Sequence, residues 1–75
     1  MPMYRVYAPV PYEFGNTIEQ RVGRTFADVK KAVAAARKAS ERYGVAELKD
    51  DARSIYDRLL GVFRNGREIQ NRIQF

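Results

Sequence analysis

Most of the chemistry this chain can offer lies between Lys30 and Arg42, where KKAVAAARKASER places Lys30, Lys31, Arg37, Lys38 and Arg42 in a run of thirteen residues. Ammonium and guanidinium groups hold phosphates, carboxylates or anionic lipid, and guanidinium does so in two-pronged fashion. They do not by themselves activate a nucleophile. Catalysis near neutral pH mostly draws on His, Cys or an activated Ser or Lys, and the sequence contains neither histidine nor cysteine. Thr17, Thr25, Ser40 and Ser54 therefore have no imidazole to take a proton, and no GxxxxGK[ST] or GxGxxG loop is present. Glu47, Asp50 and Asp51 form the one acidic cluster. Carboxylates can hold Mg²⁺ or share acid and base work, but aspartates directly after a strand usually serve turns and caps. The expectation is a non-enzymatic domain with no metal and no cofactor.

The overall charge agrees with an anionic partner. Fourteen Lys and Arg against nine Asp and Glu leave +5, a field that draws nucleic acid or an acidic protein surface. Ten of the basic residues are arginine. At 75 residues the chain has room for one domain, 1–75, which hides about 60% of its unfolded surface. Domains this small often lean on a disulfide, a metal or a second subunit; with no cysteine and no histidine, docking on a partner or forming a homodimer gains weight. No apolar run approaches the roughly 20 residues of a membrane helix. The start, MPMYRVYAPV, lacks the basic and long apolar segments of a secretory signal, so no membrane contact and a cytoplasmic location are expected.

The cations need an element to carry them, and their spacing supplies one. Thr25 reads as a helix N-cap, with Asp28 three residues on to reach back and to complement the helix dipole. Phe26, Val29, Val33, Ala36, Ser40 and Tyr43 recur at three- and four-residue steps and predict an apolar stripe. Gly44 supplies a left-handed stop with Val45 behind it. The result is a helix over about 25–43. On its far side Lys31, Lys38 and Arg42 share one line and Lys30 and Arg37 its neighbour. Cations late in a helix favour its dipole and Ala34 and Ala35 favour helix, so the same face also fits a solvated surface with no ligand.

Strands must flank that helix. Met3 to Val10 alternates and ends at Pro9 and Pro11, which predicts an edge strand with Tyr4, Val6 and Ala8 on one face and Arg5 and Tyr7 on the other. Thr17 to Arg24 alternates Ile18, Gln20 and Val22 and predicts an antiparallel partner. Val45 to Lys49 predicts a further strand. The segment DDARSIYDRLLGVFRNG admits two readings. Ala52, Ile55, Tyr56, Leu59 and Phe63 sit at helical spacing and would make a second helix over about 51–64. Gly61, the β-type clusters SIY and GVF and the turn signal RNG favour strands ending in Arg67 to Ile69, and strands are preferred here. QNRIQF forms a final edge or a frayed end. The fold class is α+β: an antiparallel sheet of three to five short strands packed on one face by a single amphipathic helix.

Two binding surfaces follow. One is the cationic helix face, for nucleic acid, with help from Arg5 and Tyr7 on the bare side of the sheet, where aromatics beside arginine can stack on bases. The other is that aromatic strand face, with Tyr12 and Phe14, or the Ala-rich helix face, docking on a larger protein as an adaptor or inhibitor. Arg53, Arg58, Arg64, Arg67 and Arg72 are spread rather than clustered; in a meander, alternate arginines would share a face. In size, arginine content and lack of a catalytic set the chain is similar to small phage or mobile-element accessory proteins, a likeness of composition that no residue carries.

Overall fold

A computed structural model describes residues 1–72. Strand β1 (Tyr4–Pro11) turns through a short 3-10 segment into β2 (Thr17–Phe26). The helix α1 (Val29–Tyr43) follows, then β3 (Val45–Asp50), β4 (Leu59–Arg64) and β5 (Arg67–Asn71). All five strands form one sheet in the order β2-β1-β3-β4-β5, every neighbouring pair antiparallel. Because β2 and β3 both run against β1, they are parallel to each other, and α1 connects them across it.

The helix covers one face of the sheet. Val6 and Ala8 from β1, Ala46 and Leu48 from β3, and Leu60 and Phe63 from β4 meet Ala32 and Ala36 of α1 in the buried core. Small residues on the helix let it lie close to the sheet, and the volume is filled from below by Leu48 and Phe63. Gly61 belongs to this packing: a Cβ there would stand 3.3 Å from Cε2 of the Phe63 ring and 3.2 Å from the Gln70 carbonyl oxygen. A glycine inside a strand often marks such a close approach, so the residue that argued against a helix over 51–64 is also the one that admits the ring. No second helix forms there. Residues 51–58 are turns, and Ala52, Ile55 and Tyr56 are exposed.

Three expectations need correction. The first strand is not an edge: β1 lies between β2 and β3. Its prolines are tolerated because pairing with β3 stops at Tyr7↔Glu47, leaving Pro9 and Pro11 in a half of the strand that pairs with β2 alone. Second, Thr25 does not cap the helix. It stays in β2, and Asp28 is the N-cap, its carboxylate accepting the Lys30 amide N–H at 2.9 Å; the helix therefore begins at Val29 rather than at 25. Third, the stripe is deepest at the expected Ala36 and Ser40 and at Ala32, which the spacing left out, with Val29 and Val33 only half-buried. The expected stop at Gly44 is present, with φ of 91° and its N–H on the Ser40 carbonyl. Gln70 and Asn71 complete β5 and the Arg72 amide donates to the Leu60 carbonyl at 2.7 Å, while residues 73–75 of QNRIQF lie outside the described residues.

Candidate nucleic-acid interface

With Ala32, Ala36 and Ser40 against the sheet, 100° per residue sends the cations down two different flanks of α1. Lys30 and Arg37 fall on the side of β4 and β5. There Arg37 is engaged by the fold: Nη1 donates to the Gly66 carbonyl at 3.3 Å, Nη2 lies 3.6 Å from Glu68 Oε2, and the guanidinium carbon sits 5.7 Å from the Phe63 ring centre. Glu41 shares this flank beside Gly66. Charge here is largely answered from within.

Lys31, Lys38 and Arg42 fall on the side of β2. Lys38 and Arg42 rim a shallow groove of about 260 Å³ floored by Val22, Phe26, Ala35 and Ala39. The Arg42 guanidinium lies 5.3 Å from the Tyr43 ring centre, and Arg24 of β2 lies 5.0 Å from that of Phe26. Among the described residues none of these four cations has an ion-pair partner. Stacking on a ring holds a guanidinium in place without neutralising it. Sequence reasoning missed Arg24 and Phe26 as part of this surface. The available signal was Gly23, which interrupts the alternation of β2; the register of β1 and β2 shifts between Tyr4 and Val6, and an extra length of β2 there re-aims its side chains.

Arg5 and Tyr7 lie elsewhere. They occupy the face of the sheet that α1 does not cover, so the structure does not bring them beside the helix cations. Arg5 Nη1 is 3.1 Å from Asp51 Oδ2 and its Nε donates to Thr25 Oγ1 at 3.1 Å. The Tyr7 hydroxyl donates to the same Asp51 oxygen. Burial works to raise the Asp51 carboxyl, but hydrogen bonds from Tyr7 and Arg5 and the Arg5 and Arg58 charges outweigh it, holding it below 3.8. Burial and the Asp51 carboxylate together push the Tyr7 phenol above 10.0. Beside it, Lys49 rests 4.7 Å from the Tyr7 ring centre and pairs with Glu19 at 3.3 Å and Glu47 at 3.5 Å. Burial alone would lower its ammonium, and the two carboxylates raise it above 10.5 instead.

The acidic cluster is spent in the same way. Asp50, 4% exposed, accepts the Met3 amide at 2.9 Å and the Ala52 amide at 3.1 Å, Asp51 takes Arg5 and Tyr7, and Glu47 takes Lys49. Among the described residues no three potential ligands converge on a metal position. Of the C-terminal arginines, Arg64 and Arg67 stand opposite each other across the β4–β5 turn, while Arg53 pairs with Asp50 at 3.4 Å and Arg58 donates to the Arg53 carbonyl at 3.0 Å.

Fold and surface together define a small α+β domain, one helix on a five-stranded antiparallel sheet, with a basic helix flank that has no carboxylate partner among the described residues. No family model matches the chain, and no curated protein or solved structure resembles it at a significant level. No helix among the described residues is long and apolar enough to cross a membrane.

Proposed function

We propose that this is a non-enzymatic, cytoplasmic nucleic-acid-binding domain that lays a phosphate backbone along the β2-side flank of α1, against Lys31, Lys38, Arg42 and Arg24. The observation that carries the reading is that Lys38 and Arg42 rim one groove, that Arg24 stacks on its Phe26 wall, and that none of the four cations has a carboxylate partner among the described residues. The remaining cations of the helix play a smaller part: Lys30 extends the field at the helix start, and Arg37 is shared with Glu68.

Such binding is dominated by counterion release. Three phosphate contacts on a duplex would make affinity fall about 40-fold when salt rises fourfold. Fluorescence anisotropy with a labelled duplex and a labelled single strand at two salt concentrations tests this. Absence of binding at low salt, or binding indifferent to salt, rejects the reading.

A second reading, docking on a larger protein, is favoured by the exposed aromatics Phe14 (96%) and Tyr56 (91%), because aromatic anchors beside arginine are typical of interfaces. Capture from the native cell with and without nuclease separates the two. Partners that survive nuclease and are lost on Phe14→Ala or Tyr56→Ala would support protein docking; partners lost with nuclease would support nucleic acid.

A further inference from the structure

Among the described residues the outer edge of β2 has no neighbour in the sheet, and its residue pattern is complementary to itself. From Pro11↔Thr17 to Val6↔Val22 the strand pairs with β1 without a break in register. Val22 and Gln20 stand opposite the buried Val6 and Ala8, so Ile18, Gln20 and Val22 point to the helix side. Glu19 and Arg21 point to the bare side. About Gln20 the stretch Ile18-Glu19-Gln20-Arg21-Val22 is apolar at both ends and opposite in charge within.

We infer that β2 is the self-association edge, and that two copies pair antiparallel with the two-fold axis at Gln20. In that register Ile18 meets the partner's Val22 on the helix side, twice. Glu19 meets the partner's Arg21 on the bare side, also twice, and the Gln20 amides face each other on the axis. Opposite charges and apolar side chains set directly across two strands are the pairs that stabilise a sheet. Neighbouring registers lose this. An axis at Arg21 sets arginine against arginine, and one at Glu19 sets glutamate against glutamate. An odd offset sets Val22 against Glu19, residues whose side chains and backbone N–H and C=O groups point opposite ways along the same edge, so no ladder forms.

Two further observations fit the pairing. Ile18 is a large apolar residue left 42% exposed. Arg21 has no ion-pair partner among the described residues, while Glu19 already holds Lys49 at 3.3 Å and would accept the partner's guanidinium on its other lone pairs. The irregular stretch at Gly23 to Thr25 lies outside the paired segment, so it does not obstruct the contact. A single strand edge is a small interface, and the dimer it forms is weak and concentration-dependent. The two-fold makes one ten-stranded sheet with both helices on the same side, their Lys31, Lys38 and Arg42 flanks facing each other across the paired β2 strands. The pairing itself does not rest on nucleic-acid binding and is tested without it.

Sedimentation equilibrium from about 5 to about 500 µM should show a monomer giving way to a dimer. Glu19→Arg and Arg21→Glu, each confirmed as folded by circular dichroism, should each be monomeric alone, and an equimolar mixture should dimerise. Gln20→Cys should form a covalent dimer under mild oxidation far faster than Thr17→Cys, whose thiols would lie at opposite ends of the contact. The chain has no other cysteine to interfere. A wild-type protein that stays monomeric throughout, a mixture that stays monomeric, or equal crosslinking at Gln20 and Thr17 would each overturn the inference.

Discussion

Ser40 Oγ accepts the Gly66 amide N–H at 2.8 Å and donates to the Arg37 carbonyl at 2.7 Å. A fully buried hydroxyl on the helix thus closes the β4–β5 turn, joining residues 26 apart in sequence. Ser40→Ala leaves that N–H without its acceptor and should cost about 1–3 kcal/mol, measured by urea unfolding. Gly66→Ala should also destabilise, by about 1 kcal/mol or more, because φ is +82° and an L residue is strained there. The added Cβ would also come within 2.7 Å of Glu41 Oε1, a contact that side chain can relieve by moving.

The Asp51 carboxyl gives the fold an acid-sensitive seam. Its value in the folded state lies below the ordinary 3.8, so its contribution is complete above the unfolded value and is lost as pH falls through the folded one. Unfolding free energy measured from pH 7 downward should begin to fall as pH approaches 4 and continue to fall below it. Asp51→Asn should flatten part of that slope, and it should lower stability at pH 7. An unchanged slope in the variant would mean that the carboxylate bonds to Arg5 and Tyr7 do not hold in solution.

The two cap positions separate cleanly by mutation. Asp28→Ala removes the side chain that accepts the Lys30 amide and should cost about 1 kcal/mol. Thr25→Ala removes only a partner of the Arg5 Nε, exposed to water, and should change thermal unfolding by little. Equal losses would return Thr25 to the role its sequence position suggests.

The two flanks of α1 should respond differently in nucleic-acid binding. Lys31→Glu and Lys38→Glu should each weaken binding and lower the salt slope by about one phosphate contact. Arg37→Gln should weaken it less, while lowering stability through loss of the Glu68 and Gly66 contacts. Anisotropy titrations at fixed low salt, paired with thermal melts, distinguish the two patterns.

Periodicity carried the large elements into view. The three- and four-residue steps of 29–43, the Gly44 stop, the alternation of 4–8 and the Asn65-Gly66 turn all express local backbone preferences, and the one-helix α+β architecture follows from them. What periodicity could not carry was the neighbour of each strand. The prolines of β1 suggested an edge, and they lie in a strand that is central along only half its length, a distinction made by where β3 ends. Nor does spacing on a helix tell which flank meets which strand. Lys31 and Lys38 read as part of one cationic face with Lys30 and Arg37, yet the sheet order sends Arg37 to Glu68 and leaves Lys38 at the β2 groove. Arg5 and Tyr7 looked free because their shared acceptor, Asp51, is remote in sequence and arrives through the β1–β3 contact.

That contact has a kinetic consequence. The β1–β2 and β4–β5 hairpins can each zip from adjacent residues, whereas Tyr4 must find Asp50, and the Met3 amide its carboxylate, across 46 and 47 positions. Closing so long a loop costs entropy before any pairing rewards it. The rate at which this molecule folds is thus expected to be governed by the meeting of β1 with β3, and a linker inserted between α1 and β3 should slow it more than one inserted between β4 and β5.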